Sequence, residues 1–407
     1  MTFTLISLLF ALVYLFLDKS QYKVFAMGSS SLMFFYGLSL DLMDHPDIQV
    51  FFRYIKPSLS YITYSYFFIS LVALTICNAM VYLFYRRNVY DIPHRQYSSI
   101  RLRRAFYILS FLSLLGLTVN LLNVFLSGFT PELLILNPRT YEEMFGFNVA
   151  FNYLYFLNIP AVLTYIYIIK VHKVKVRFGK LLVFLLIIIS GFHGIKYTIF
   201  DSILIPGFFY LLVSKDTKLS YMALVFGALV GIYMIFSNFV RGGYYESELL
   251  NFASYIIPNY LNMFYNIETY QQQFTPFFNL LLPDKMQALV PVEMHLNPGV
   301  NSQYSINPSY NMYTALDFLY TDFFLLGPFF FILIYFLGIY LYNNKYRNII
   351  ILYLLASLIY NLNMSFYTYA YIKIKYTYYI FVFIGVHFWS RSTKTSQVDT
   401  TTSVQQV

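Results

Sequence analysis

The run Lys170-Val171-His172-Lys173-Val174-Lys175-Val176-Arg177-Phe178-Gly179-Lys180 leads into Leu181-Leu182-Val183-Phe184-Leu185-Leu186-Ile187-Ile188-Ile189-Ser190 and the turn Gly191-Phe192-His193-Gly194-Ile195-Lys196. A second apolar piece, 198–213, follows, and then Lys215 and Lys218. Lys and Arg accumulate on the cytoplasmic face of a membrane protein. Both flanks are basic, so the chain between them has to cross twice, or dip in and return. The short pieces 181–195 and 198–213 therefore read as a tight pair around Gly191 and Gly194.

Composition agrees with that reading. The 407 residues are 59% hydrophobic and only 11% charged, against roughly 25% charged in a soluble chain. Aromatics reach 22%, so most of the chain has to face lipid or other apolar helices. A water-soluble enzyme is excluded. The formal charge of +9 reflects membrane topology, not nucleic acid. The single Cys77 cannot form an internal disulfide, and no Cys/His spacing spells a zinc site.

A bilayer core needs roughly 20 apolar residues per helix. Cutting the chain at its charges gives eleven predicted crossings: 2–17, 24–40, 61–84, 105–129, 145–169, 181–195, 198–213, 219–240, 323–342, 349–366 and 375–390. The first has no basic leader and no Ala-x-Ala site, so it reads as a retained helix. With the N-terminus outside, the cytoplasmic segments hold two, six, five, two, two and two Lys+Arg, 19 of the 27, against 4 acids. The outer side holds the other 8 Lys+Arg and 14 of the 18 acids. One transmembrane domain, 1–390, is expected, with a disordered cytoplasmic tail over 391–407. The outer segment 241–322 is too long for a connector. Leu249 through Tyr265 reads there as an amphipathic or interfacial helix interrupted at Pro258, and the segment as a cap over the bundle.

The cations that break the topological rule are Arg53, Lys56, Arg139, Lys196, Arg241, Lys285, Lys373 and Lys375. Such residues snorkel to the interface or serve a cavity. In Asn137-Pro138-Arg139-Thr140-Tyr141-Glu142-Glu143, Asn as cap, Pro at the first position and acids in the first turn spell a helix start. Arg139 there either pairs with Glu142 and Glu143 or points into the cavity that the helix enters. His193 and Lys196 occupy the short hairpin, and gaps left by sub-length membrane helices often build ligand sites. Arg241, before Gly242-Gly243, also suits a helix C-terminus.

Asn311, Thr314, Asp317 and Thr321 recur at helical spacing with Asp322 beside them, a polar stripe just before an apolar helix. His295 reads as an exposed loop histidine and, by residue type, as the best candidate to titrate near neutral pH, and His387 reads as a satisfied core group. Asp41, Asp44, His45 and Asp47 form an acidic cluster that reads as a solvated loop. The sequence contains no P-loop, dinucleotide fingerprint, Gly-x-Ser-x-Gly or His-Glu-x-x-His motif.

Three features in order resemble the O-antigen polymerase (Wzy-type) family of bacterial repeat-unit polymerases. They are the Asn137-Pro138-Arg139-x-Tyr141 helix start, the basic hairpin, and a large outer loop ending in Tyr313-Thr314-Ala315-Leu316 through Tyr320-Thr321-Asp322-Phe323-Phe324-Leu325-Leu326-Gly327. The chain departs from the family pattern twice. Relatives often carry Ser-Arg-Gly where it has His193-Gly194-Ile195-Lys196, and Asp-x-Gly where it has Asp322-Phe323-Phe324.

The resemblance implies an all-α polytopic fold similar to multispanning lipid-linked (GT-C-like) glycosyltransferases. It also implies an inner-membrane location, a periplasmic N-terminus and active site, a cytoplasmic C-terminus, and undecaprenyl-pyrophosphate-linked oligosaccharides as substrate. A chain-length regulator is an optional partner. A sugar hydroxyl would attack the anomeric carbon of the growing chain, and undecaprenyl pyrophosphate would leave. Fixed cations stabilise the charge growing on that diphosphate. Arg139, Lys196 and Arg241 are the candidates for this role, with Lys373 and Lys375 in reserve. His295 or Asp317 is the candidate base, and His193, Asn311, Thr314 and Asp322 are substrate contacts. Neither a metal nor another cofactor is called for. The alternatives are a flippase or other transporter, an O-antigen ligase, and a metal-dependent membrane glycosyltransferase.

Overall fold

The structure, a computed structural model, describes residues 1–17, 23–46, 48, 59–84, 97–128, 144–145, 149–190, 196–214, 256–269, 314–345, 348–365 and 374–391. In chain order the helices are α1 (Thr2–Leu17), α2 (Lys23–Leu42), α3 (Tyr61–Phe84), α4 (Ser99–Leu126), α5 (Val149–Tyr155), α6 (Asn158–Lys170) and α7 (Gly179–Ile188). Next come α8 (Lys196–Val213), α9 (Ile257–Thr269), α10 (Ala315–Phe323), a 3-10 helix (Phe324–Phe329), α11 (Phe330–Asn343), α12 (Ile349–Asn363) and α13 (Ile374–Ser390). Among the described residues no strand forms; Tyr97 and Arg391 make an isolated bridge.

Helices stand at each apolar segment except 219–240, which lies outside the described residues. Their ends depart from the hydropathy cuts where capping decides. Helix α4 starts at Ser99, not 105, because the Ser98 hydroxyl accepts from the Arg101 amide (3.5 Å) and the helix runs on through Arg101, Arg103 and Arg104. The expected span 145–169 is divided at Phe156 and Leu157. Pro160 cannot donate to the carbonyl four residues back, and the Asn158 side chain accepts from the Ile159 amide instead (2.8 Å).

Four helical segments are long and apolar enough to cross a membrane: Tyr61–Phe84, Ser99–Leu126, Ala150–Lys170 and Phe324–Asn343. Helix α4 is apolar on the outside. Ser110, Ser113, Gly116 and Asn120 are buried, whereas Ile108, Phe111, Leu122 and Phe125 are exposed. In water that arrangement would strand the apolar face; in lipid, small and polar residues belong at helix contacts. At Gly116 a Cβ would collide with the Tyr155 backbone nitrogen and lie 2.7 Å from the Phe151 carbonyl. Only hydrogen fits between α4 and α5.

Helix α12 is buried nearly all round, through Ile349, Leu352, Tyr353, Leu355, Ala356, Ile359, Tyr360 and Leu362. It packs between α2 and α11 on one side and α8 and α13 on the other. Its start meets the start of α4 and the end of α13 at Tyr97. The Tyr97 hydroxyl accepts from the Ile349 amide (3.3 Å) and shares a 2.5 Å hydrogen bond with His387 Nδ1, which is how His387 is satisfied. Arg101 closes the same corner by donating to the Arg391 carbonyl (3.0 Å).

Helices α9 and α10, from the large outer segment, pack against α2 and α3. Tyr260 donates to the Leu32 carbonyl (2.9 Å), and Tyr66 to the Leu316 carbonyl (2.7 Å). Glu268 accepts from the Ser60 amide (2.8 Å) and the Thr63 hydroxyl (2.5 Å) at the start of α3. Helix α9 is therefore buried against α2 and α3 with Pro258 in its first turn, as a missing amide donor allows there, and the part of the expected helix before Ile256 lies outside the described residues. Asp41, from the expected loop cluster, is occupied in capping α1. It accepts from the amides of Phe3 (3.3 Å) and Thr4 (2.7 Å) and from the Thr4 hydroxyl (2.7 Å).

Candidate functional site

Four elements meet at one end of the half of the bundle built from α4 to α8 and α13. Tyr155, closing α5, donates to the Ile189 carbonyl just past α7 (2.9 Å). On the same helix, the Tyr153 ring lies 5.3 Å from the Tyr378 ring of α13. Tyr376, in the first turn of α13, donates to Asp201 Oδ1 of α8 (3.2 Å). Tyr353 of α12 supports that turn by donating to the Tyr376 carbonyl (3.2 Å). Next to Asp201, Asn158 Nδ2 donates to the Ser202 hydroxyl (3.2 Å).

These elements continue or begin the segments that carry the out-of-rule cations. Helix α5 follows the Arg139 segment, α7 leads into the hairpin of His193, α8 begins at Lys196, and α13 begins beside Lys373 and carries Lys375. Arg139, His193 and Lys373 lie outside the described residues, as do the side chains of Lys196 and Lys375. The start of α4, the end of α6, the turn from α6 into α7, the start of α7 and the end of α13 carry Arg101, Arg103, Arg104, Lys170, Lys173, Lys175, Arg177, Lys180 and Arg391. One end of this half is thus uniformly basic. At the other end, two cation-bearing helix starts, whose backbone dipoles also favour anions, converge on a fully buried carboxylate.

Asp201 is the residue that sequence reading missed. It sits inside the apolar piece 198–213 and was absorbed into that span. An acid at this depth, five residues after a lysine, was the available signal, because ionisable groups inside membrane helices are expensive and mark function.

The Asp317 group is separate. Thr314 caps α10, its hydroxyl accepting from the Asp317 amide (3.1 Å). The Asp317 carboxylate accepts from Asn266 Nδ2 of α9 at 3.0 and 3.2 Å. Burial pushes the Asp317 carboxyl up to about 7, partly offset by the Asn266 hydrogen bond. Thr314 and Asp317 therefore share a helix face as expected, and the face is turned onto α9. The side chain of Asp322 lies outside the described residues, as do Asn311, Arg241 and His295. Asn266 and Glu268 were also missed, since nothing in the outer segment singled them out. Among the described residues no three His, Cys, Asp or Glu side chains come together as metal ligands.

Just beyond α10, Phe324 has φ +52° and ψ −137°, backbone that glycine adopts freely and a phenylalanine only under strain.

Comparison with protein-family models, curated proteins and solved structures returned no match. Over the described residues the chain is helical, and its four long apolar helices fit a membrane-embedded protein.

Proposed function

We propose that the chain is a membrane glycosyltransferase that joins undecaprenyl-pyrophosphate-linked oligosaccharide units into a surface polysaccharide on the non-cytoplasmic side of a bacterial inner membrane. The observation that carries this reading is the meeting of α5, α7, α8 and α13 around Asp201 and Tyr376. In the sequence Arg139 precedes α5, His193 follows α7, Lys196 opens α8, and Lys373 and Lys375 stand at the start of α13. A diphosphate leaving group gains charge as its glycosyl bond breaks, so cations held there favour the transition state over the ground state. Arg241 joins the cations on the diphosphate in this proposal, His295 or Asp317 is the base for the acceptor hydroxyl, and Asn311, Thr314 and Asp322 are substrate contacts.

The test is purified protein in liposomes with lipid-linked repeat units. Longer glycans, formed equally with EDTA present, are the expected result. Translocation of the lipid-linked unit without elongation would establish a flippase instead. Elongation lost on chelation would establish a metal-dependent transferase.

A further inference from the structure

We propose that the start of α4 and the turn from α6 into α7 form one site for the phosphodiester headgroup of an anionic phospholipid, whose acyl chains lie along the exposed apolar faces of α4 and α7. The proposal concerns the basic end of the bundle and is independent of the glycosyl-transfer reading.

The site begins as a concentration of unpaired charge. Arg103 and Arg104 stand near the start of α4, and Lys173, Lys175, Arg177 and Lys180 follow α6 within ten residues of chain. All but the half-buried Arg103 are exposed, and among the described residues none of the six forms an ion pair. No Asp or Glu occurs from Tyr97 to Gly128 or from Val149 to Ser190, so the local sequence offers them none. Membrane topology asks only that such residues share a face. It does not ask them to converge, and like charges that converge repel one another. An anion from outside the chain supplies the missing countercharge.

One hydrogen bond fixes the convergence. The Tyr107 hydroxyl donates to the Arg177 carbonyl (2.8 Å) and so ties α4 to the turn just ahead of α7. Tyr107 is three and four residues beyond Arg104 and Arg103, which places all three on one side of α4. The Arg177 guanidinium lies 5.0 Å from the centroid of the Phe178 ring, and that ring is 64% exposed. Phe178 takes this position with φ +54°, backbone that burdens any residue with a side chain and not glycine. The strained turn holds an arginine and its aromatic platform outward, where the charged and apolar parts of an amphiphile meet.

Inward from the charges the surface is apolar. Ile108, Phe111 and Leu115 of α4 are exposed beyond Arg104 and Tyr107, and Leu181, Phe184 and Ile188 of α7 are exposed beyond Lys180. Each face spans about 10 Å along its helix, and both lead away from the basic end. The two helices pack against each other. A phosphate head above hydrocarbon tails uses both halves of this surface, whereas a free anion or an acidic protein segment uses only the charges. The guanidinium fork matches phosphate oxygens, and basic pockets between membrane helices recognise anionic headgroups.

The experiment takes the full chain purified in detergent and measures retained lipid by native mass spectrometry, with dioleoyl phosphatidylglycerol and dioleoyl phosphatidylcholine as probes. Phosphatidylglycerol should bind on the order of tenfold more tightly. The double variant Arg104→Gln/Arg177→Gln should retain the two lipids equally, with its thermal unfolding in lipid-free detergent unchanged. Tyr107→Phe keeps every charge but releases Arg177, and it should also weaken retention of phosphatidylglycerol. Glycerophosphoglycerol, the same headgroup without chains, should displace the lipid only weakly, and so should polyglutamate. Equal retention of the two lipids by wild type, or wild-type selectivity in the double variant, overturns the proposal. Selectivity lost in the double variant but untouched in Tyr107→Phe overturns it in favour of diffuse charge attraction. Displacement by glycerophosphoglycerol as effective as by intact lipid overturns it in favour of a soluble anion, and the same result with polyglutamate in favour of an acidic protein.

Discussion

Asn266 holds both carboxylate oxygens of Asp317 through a single amide nitrogen, at 3.0 and 3.2 Å, and so ties α9 to the first turn of α10. The same carboxyl, raised to about 7 by burial, makes this contact sensitive to pH. Its folded value lies above the unfolded value of about 3.9. Its contribution to stability is therefore complete below about pH 4 and is lost as the pH rises through about 7. Asp317→Asn should flatten the pH dependence of thermal unfolding in detergent between those limits. An unchanged slope in the variant contradicts the assignment.

Lys345, between α11 and α12, behaves in the opposite sense. Its ammonium is buried 3.9 Å from the Tyr342 ring centroid, and burial lowers it to about 7. The folded value lies below the unfolded value of about 10.4, so its contribution is complete above about pH 10.4 and is lost as the pH falls through about 7. Lys345→Met should remove the rise in stability from about pH 7 to 10 that wild type shows in the same unfolding measurement.

Phe324 gives a prediction against ordinary helix propensity. Ala and Gly both delete the ring that lies 5.2 Å from Tyr320, but only Gly relieves the positive φ. Phe324→Gly should be more stable than Phe324→Ala by about 1 kcal/mol. Denaturant titration of the two variants measures the difference, and a more stable alanine variant counts against the backbone conformation at this turn.

At Gly116 the α4 and α5 backbones leave no room for a side chain. Gly116→Val should cost about 1–3 kcal/mol by pushing α5 away from α4, with a lowered unfolding midpoint as the readout. Under the proposed function, in which the segment before α5 supplies Arg139, activity should fall as well.

How much of this was legible in the sequence depends on what each residue signals locally. The ends of α1 and α3 follow directly from where charges interrupt the apolar runs. The start of α4 does not, because Ser98 can cap a helix that then carries three arginines out of the bilayer. The polar face of Thr314 and Asp317 was visible from spacing, yet its partner Asn266 lies 51 residues away from Asp317 and nothing local pairs them. Asp201 was hidden for the opposite reason. A single acid barely lowers the hydropathy of its helix, and its partner Tyr376 is one that only the fold brings near. The burial of α9 was equally nonlocal, since it depends on Tyr260 finding the Leu32 carbonyl of α2 and Glu268 finding Ser60 and Thr63 at the start of α3.

The most direct measurement replaces Arg139, Lys196, Lys373 and Lys375 together by Gln and follows glycan length in proteoliposomes supplied with lipid-linked repeat units. The account predicts that unfolding is unchanged and elongation disappears. The single variant Arg139→Ala should already lose on the order of 100-fold, about 3 kcal/mol of transition-state stabilisation. Glycans of wild-type length from the fully neutralised protein would contradict the claim that these cations hold the departing diphosphate.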